Sequence, residues 1–298
     1  MFQKRLLTIL RLSAVGSFFT MLILLAIACQ PMSSAPPQSE LPLGSSHMAI
    51  INGQSDLTQP AIGALVVRRG SSFCSGTLIT RQVVVTAAHC VDAVSRYGLN
   101  NVQFRTDFPD PNRKFRSEHY SLLQVAKHPQ YTRGSGANYD IAVLILKKKV
   151  TDPKVIPIPA NKSPMQQSWI GKNIRVVGYG LIQTRPTFRS ADQKYAADIP
   201  LFQIASRAFV HYDGKTAVDK RKSACHGDSG GPALYKVNGK TYVMGVTSIA
   251  YRATSAGNGR TYCDGGAVST RTDANMKFLQ PFLIKYSDGP QTCKLDTE

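Results

Sequence analysis

The sequence lacks the short motifs that mark a metal, a nucleotide or a redox centre. Its six cysteines form no Cys-x-x-Cys pair, so neither a zinc site nor a catalytic dithiol is expected. No Gly-x-x-x-x-Gly-Lys stretch occurs, which excludes the usual phosphate-cradling loop. The sequence therefore predicts a function that uses no metal and no cofactor.

Acidic residues are also scarce. The chain has 18 Asp and Glu against 36 Lys and Arg, which gives a formal net charge of +18. Such a field favours anionic surroundings such as lipopolysaccharide, nucleic acid or acidic proteins. No run of five basic residues and no basic-aromatic array is present, so the sequence shows no specific nucleic-acid motif. A solvated surface is the simpler interpretation, and an anionic envelope surface is a possible partner.

The N-terminal segment has the plan of a secretory signal. Three basic residues precede an apolar run at 12–28, which is slightly short for a membrane-spanning helix. We therefore predict a signal peptide over residues 1–28. The run ends in Leu25-Ala26-Ile27-Ala28-Cys29, which resembles a bacterial lipobox and makes Cys29 a candidate for lipidation. An ordinary signal peptide with an incidental cysteine, or an uncleaved anchor, remains as an alternative.

A change of composition marks the start of the folded part. Residues 29–49 are rich in Pro and Ser, so we predict a lipid-anchor candidate, tether and propeptide there. After them come short apolar and β-branched runs separated by turn residues, which favour an all-β barrel or sandwich. These runs are Ile62–Val67, Thr77–Ile79, Val83–Thr86, Ile141–Leu146, Ile174–Val177 and Tyr242–Val246. Only the end looks helical, from about 273 to 286, and Pro281 predicts a kink or a later start.

The most informative stretch for function is Cys225-His226-Gly227-Asp228-Ser229-Gly230-Gly231-Pro232. Three glycines allow a tight loop that exposes the Ser229 hydroxyl and comes close to a bound peptide. A serine needs a base to remove its proton and backbone N–H groups to stabilise the oxyanion that forms. We predict that the N–H groups of Gly227 and Ser229 do the latter.

Two further motifs supply the other groups. Thr86-Ala87-Ala88-His89-Cys90 offers His89 as the base, and Asn138-Tyr139-Asp140-Ile141 offers Asp140 as the carboxylate that orients it. The three motifs resemble those of the trypsin/chymotrypsin family of serine endopeptidases, in the order His, Asp, Ser that belongs to this fold. In that resemblance Ser248 supports the aspartate.

The resemblance implies a fold of two six-stranded antiparallel β-barrels with a short C-terminal helix. The first barrel is expected over 50–160, and the second over 161–298 together with the helix and a tail. The resemblance also pairs Cys74 with Cys90 and Cys225 with Cys263. Disulfides imply an oxidising compartment, so we expect an exported protein, either secreted or held at a bacterial cell envelope. Cys293 has no partner in the family and is predicted to stay unpaired or to pair between molecules.

Family members mature when cleavage exposes an Ile-Val-like N-terminus, whose ammonium pairs with the aspartate just before the nucleophile. Ile50-Ile51-Asn52-Gly53 matches that N-terminus and Asp228 matches the aspartate. Cleavage is therefore predicted between Ala49 and Ile50.

The residues that match the family's specificity pocket predict a small one. Ser223 stands at its base, where trypsins carry Asp, and Ile249 replaces a usual tryptophan. Ala250 and Ala267 (or Gly266) narrow the slot, which points to cleavage after small apolar residues such as Ala or Val. An enzyme of that kind could cut after Ala49 and activate itself; another envelope protease, or a silent precursor, is the alternative.

We thus predict an exported serine endopeptidase that acts on protein or peptide substrates. The competing function is a catalytically silent homologue that serves as a binding or adhesion module. Such homologues usually lose a member of the triad, and none is missing here.

Overall fold

A computed structural model describes residues 50–68, 72–183, 189–191, 193–251 and 263–289. The predicted signal peptide, the lipidation site at Cys29, the tether and Cys293 lie outside these residues. Within them no helix is long and apolar enough to cross a membrane.

The described residues form strands throughout and two α-helices. The strands are β1 (Gln54–Ser55), β2 (Ile62–Val67), β3 (Ser72–Leu78), β4 (Val83–Thr86), β5 (Val102–Asp110), β6 (Arg113–Lys127), β7 (Ala142–Leu146), β8 (Asn173–Gly178), β9 (Leu181–Gln183), β10 (Arg189–Ser190), β11 (Tyr195–Ile204), β12 (Ala208–His211), β13 (Pro232–Val237), β14 (Lys240–Ala250) and β15 (Ala267–Arg271). The helices are α1 (Ala88–Tyr97) and α2 (Met276–Lys285).

Six of these strands close the first barrel in the order β2-β3-β4-β7-β6-β5. All the pairings are antiparallel. Strands β4 and β7 are buried along their whole length, which explains why their sequences are continuous apolar runs rather than alternating ones. Leu65, Phe104 and Leu144 fill the interior with no exposed surface, and burying each such side chain contributes about 1.5–3 kcal/mol.

The second barrel is a ring in which β8 closes the circle. The strand order is β11-β12-β15-β14-β13-β8, and β8 pairs with β11 as well as with β13. Ile199, Phe209 and Met244 are fully buried at its centre. The predicted fold of two six-stranded antiparallel barrels with a short C-terminal helix is therefore confirmed.

Each barrel also binds a piece of chain from the other's predicted range. Strand β1 pairs with β11 of the second barrel, with Gln54 opposite Ala196. Helix α2 packs on the core of the first barrel through buried Leu279 and half-buried Phe282. Segments near both ends of the described chain therefore pack on the barrel that lies across the boundary predicted near residue 160. The position of that boundary stays a prediction.

The two helices correct the sequence analysis. Helix α1 was not expected, since only the end of the chain looked helical; its buried residues Ala88, Cys90, Val91 and Val94 share one face, but the motif directly follows the β-branched run of β4. Helix α2 begins only at Met276, after a short 3₁₀ turn, and runs through Pro281. Pro281 therefore does not delay the start of the helix, which begins five residues before it, and a proline inside the helix removes one donor without ending it.

Candidate active site

His89 lies in the first turn of α1, directly after strand β4. Ala87, the residue before the helix, is extended and offers no side-chain cap. The N–H of His89 instead donates to the Oδ1 atom of Asp140 at 2.9 Å. A helix N-terminus carries unpaired N–H groups and a positive dipole end, both of which favour a carboxylate. Asp140 therefore caps α1 and fixes the backbone of His89.

The side chains of the same two residues are also joined. The Nδ1 atom of His89 lies 2.8 Å from Oδ2 of Asp140, and the Ser248 hydroxyl donates to that oxygen at 2.5 Å. An ionised carboxylate only accepts hydrogen bonds, so Nδ1 carries the proton and Nε2 is left as the basic nitrogen. Burial favours a higher pKa for Asp140, but the hydrogen bonds and charge of His89, together with Ser248, outweigh it and lower that pKa.

Tyr139 presents Asp140 in an unusual turn, which the sequence did not reveal. Its φ is 58°, in the left-handed region that is uncommon for a bulky residue. Its ring stacks on His128 of the first barrel at 4.6 Å, and the guanidinium of Arg207 from the second barrel lies over it at 4.2 Å. Contacts from both barrels thus hold the residue next to Asp140.

Ser229 sits on the second barrel but against strands of the first. Its carbonyl accepts the N–H of Ser75 in β3 at 2.8 Å. The next residue, Gly230, has φ 80°, and a Cβ there would lie 2.1 Å from Oγ1 of Thr86 and 2.4 Å from the carbonyl oxygen of Ser75. Only glycine lets the loop come this close. The structure thereby brings the loop of Ser229 to the strand that leads into His89.

The aspartate before Ser229 is fully buried. The oxygens of Asp228 accept the N–H of Gly180 at 2.7 Å and that of Cys225 at 2.8 Å. Burial raises the pKa of Asp228 well above its usual value. Ile50 is fully buried as well, and the N–H of Ile51 donates to the Ser223 carbonyl at 2.8 Å.

Both predicted disulfides are present, Cys74 to Cys90 and Cys225 to Cys263. Sulfur atoms of the first lie within 4.8 Å of a ring nitrogen of His89. This group offers no metal site, because the two sulfurs are bonded to each other and supply no thiolate. Two disulfides are typical of an oxidising compartment, and the chain is exported.

Strands β14 and β15 carry three of the residues assigned to the specificity pocket, Ile249, Ala250 and Ala267, whereas Ser223 lies in a bridge with Ile51. Ala250 and Ala267 lie opposite each other in the ladder, as do Ile249 and Val268. Ser223 is fully buried, and its hydroxyl donates to the Ala224 carbonyl at 3.0 Å. Ala267 is also fully buried, in the core of the barrel.

Comparison with known proteins agrees with this geometry. A family model described as Trypsin matches residues 50–266. The chain belongs to the trypsin family.

Its relatives in that family include an elastase-type and a venom protease. Chymotrypsin-like elastase family member 1 is 33% identical over 211 residues in Homo sapiens, covering 64% of this chain and 76% of the relative. The Felis catus form is 32% identical over 194 residues, covering 59% and 67%. A venom serine protease of Polistes dominula is 25% identical over 266 residues, covering 83% and 88%. The chain is a serine endopeptidase with a trypsin-like fold.

These relatives are animal proteins. They give no support to a bacterial origin or to lipidation at Cys29, which were predicted from residues 25–29.

Ser75 and Tyr139 were not predicted from the sequence, although they touch the loops of the proposed nucleophile and carboxylate. A serine inside a family-like strand motif carries no signal of its own, and a left-handed φ at tyrosine has none in the sequence.

Proposed function

We propose that this trypsin-family protease cleaves peptide bonds through an acyl-enzyme formed on Ser229. The observation that carries this is the chain of hydrogen bonds from Ser248 to Asp140 to His89, beside the loop of Ser229. Nε2 of His89 accepts the Ser229 proton as the hydroxyl oxygen attacks the carbonyl carbon, and then returns that proton to the leaving amine. Water attacks the ester in the second half, giving its proton to His89, which passes it back to Ser229.

The positive and the negative charge that develop in the reaction each have a partner. Asp140 stabilises the imidazolium of His89, and its low pKa keeps it ionised when that charge forms. The oxyanion is assigned to the N–H groups of Gly227 and Ser229, in a loop where Gly227 and Gly230 have positive φ.

The triad is tested by removing its members singly and together. Because the groups act as one unit, Ser229→Ala and His89→Ala should each lower turnover of a peptide substrate by on the order of 10⁶-fold, and the double variant by little more. Ser117→Ala, which removes a hydroxyl that donates to Asp107, serves as the matched control. Near-normal turnover by Ser229→Ala would overturn the assignment of Ser229 as the nucleophile. A processed wild-type protein without any turnover would support the silent binding or adhesion module instead.

Activation is proposed to follow cleavage between Ala49 and Ile50. The new ammonium of Ile50 would give the buried carboxyl of Asp228 a cationic partner and order the oxyanion loop. The adjoining segment already lies on the second barrel, through the Ile51–Ser223 bridge and an ion pair of 2.9 Å between Asp56 and Arg175 of β8. Thr58 and Arg175 hydrogen bonds outweigh burial and lower the pKa of Asp56, so this pair stays charged at neutral pH.

Self-activation after Ala49 is the favoured route. Uncleaved Ser229→Ala should stay uncut alone and yield an N-terminus at Ile50 when active enzyme is added. Maturation of the pure Ser229→Ala protein without added enzyme would exclude self-activation. If active enzyme leaves Ser229→Ala uncut and a different protease cuts it at Ile50, activation by that second protease replaces this route.

Specificity for small apolar residues is proposed from Ser223, Ala250 and Ala267. Each added methyl in the slot discriminates by only about 1–3 kcal/mol, so a preference for Ala over Phe of roughly 10–100-fold is expected. Asp264, beside Cys263, is 5% exposed and precedes Ala267 by three residues along the chain. The substrate panel therefore includes Arg and Lys, and a preference for either would overturn the proposal.

Two further proposals concern location. The positive charge suggests an anionic envelope surface as a partner, and binding to anionic vesicles should then fall steeply with salt. Lipidation of Cys29 is retained as a proposal from the sequence alone. Metabolic labelling with a fatty acid checks it, and an unlabelled protein would exclude it.

A further inference from the structure

Every carbonyl of the loop from Cys225 to Ser229 accepts a hydrogen bond. The donors are Asp228 N to Cys225 O at 3.1 Å, Leu181 N to His226 O at 3.2 Å, the Ser75 hydroxyl to Gly227 O at 3.0 Å, Gly231 N to Asp228 O at 2.8 Å and Ser75 N to Ser229 O at 2.8 Å. Four of the five donors belong to the backbone. The donor to Gly227 is a side-chain hydroxyl, so it alone can be removed by a point substitution.

Ser75 is fixed on every side. It is fully buried in β3, and its carbonyl accepts the Thr86 hydroxyl at 2.8 Å. Its own hydroxyl accepts the N–H of Tyr179 at 3.1 Å while it donates to Gly227. A hydroxyl with both roles filled has one rotamer and one direction for its proton. Because the side chain is buried, water does not take its place.

The held carbonyl matters because it belongs to a glycine. Gly227 has φ 91°, and a glycine peptide turns more freely than any other. Leu181 fixes the peptide plane before Gly227, which contains the Gly227 N–H, and Ser75 fixes the plane after it. Together the two bonds set both backbone torsions of the residue that is assigned to the oxyanion.

We propose that Ser75 is a positioning residue: its hydroxyl fixes the peptide plane after Gly227, and with the Leu181 N–H on the plane before it this keeps the Gly227 N–H directed at the oxyanion. The inference rests on the proposed function, because it needs an oxyanion to stabilise. The Ser75 side chain touches neither the reacting atoms nor the contact between His89 and Asp140. Its effect should therefore fall on the transition state and leave the acid–base pair alone.

The test uses the processed, active protein with Ser75→Ala. Loss of one net hydrogen bond predicts a fall in kcat of about 3- to 10-fold with KM unchanged. Affinity for a peptide aldehyde, whose adduct places an oxyanion at the same point, should weaken by the same factor. The acid limb of the pH profile should not move. Ser117→Ala is the matched control and should keep wild-type values.

Ser75→Gly gives a second reading, because it also lacks the hydroxyl and is small enough for the buried site. Agreement of the two variants within about twofold assigns the effect to the hydroxyl. Wild-type kcat and aldehyde affinity in either folded variant would overturn the inference, as would a shift of KM and of the acid limb together. If the wild-type protein itself neither turns over substrate nor binds the aldehyde, the proposed function fails instead.

Discussion

Two buried aspartates, one in each barrel, have carboxyls whose pKa values are shifted in opposite directions. Asp140 of the first barrel is 2% exposed and meets His89, and its pKa is lowered. Asp228 of the second barrel is fully buried and accepts the backbone N–H groups of Gly180 and Cys225, and its pKa is raised. Burial acts on both, so the partner decides the sign. The carboxylate of the first barrel already has the imidazole of His89 as its partner, whereas the carboxyl of the second would gain a cation through the proposed cleavage.

The strongest way to break this comparison is Asp140→Asn. The amide cannot stabilise the imidazolium and favours the wrong tautomer of His89, so kcat should fall by on the order of 10⁴-fold with little change in KM. Steady-state kinetics checks this. A loss below about tenfold would mean that the ion pair of the first barrel is not the catalytic one.

Asp228→Asn sharpens the comparison from the other side. In the cleaved protein the amide cannot form an ion pair with the Ile50 ammonium, so the oxyanion loop should no longer be held in order. The kcat of this variant should therefore fall by on the order of 10²- to 10³-fold in steady-state kinetics.

The same residue gives a pH test in the uncleaved Ser229→Ala protein. The usual pKa of Asp is 3.8, and the folded value is raised. The folded state therefore keeps a proton that the unfolded chain has lost, and the free energy of unfolding falls as pH rises from about 4 through the raised pKa. Urea unfolding should show this fall, and Asp228→Asn should remove it. An unchanged slope would contradict the unpaired carboxyl.

Lys194 offers a smaller effect on the joint between the barrels. It precedes β11, is fully buried, and its Nζ donates to the carbonyls of Ile62 at 3.0 Å and Asp107 at 3.2 Å in the first barrel. Burial lowers its pKa from 10.5 to about 8, against the opposing charges of Asp107 and Asp56. Between those values the unfolded chain holds more protons, so stability should rise with pH by up to about 3 kcal/mol. Lys194→Met in the uncleaved Ser229→Ala protein should lose that rise, and exposed Lys172→Met should keep it.

The sequence predicted the residues whose role travels with a local motif. His89, Asp140 and Ser229 each stand in a short sequence motif, and strands of both barrels were predicted from their apolar runs. Contacts between distant segments left no such pattern. The hydroxyl of Ser75 is oriented by hydrogen bonds to Tyr179 and Gly227, which lie 104 and 152 residues away along the chain. A lysine is usually exposed, and only the contacts with the first barrel show that Lys194 is buried.

Helix α1 was missed for a related reason. Its apolar residues continue a β-branched run, and what starts the helix is the carboxylate of Asp140, 51 residues from His89 along the chain. A cap supplied by a distant segment cannot be seen in the local sequence. The left-handed turn at Tyr139 is likewise held by side chains from both barrels rather than by its own propensity.

Mapping the site of a serine-directed fluorophosphonate tests the central claim most directly. In the processed wild-type protein, mass spectrometry should find one adduct on Ser229, because the proposed mechanism gives that hydroxyl alone a base, His89, and oxyanion donors. His89→Ala should abolish it, and Ser117→Ala should not. An adduct on another residue, or equal labelling in His89→Ala, would contradict the account.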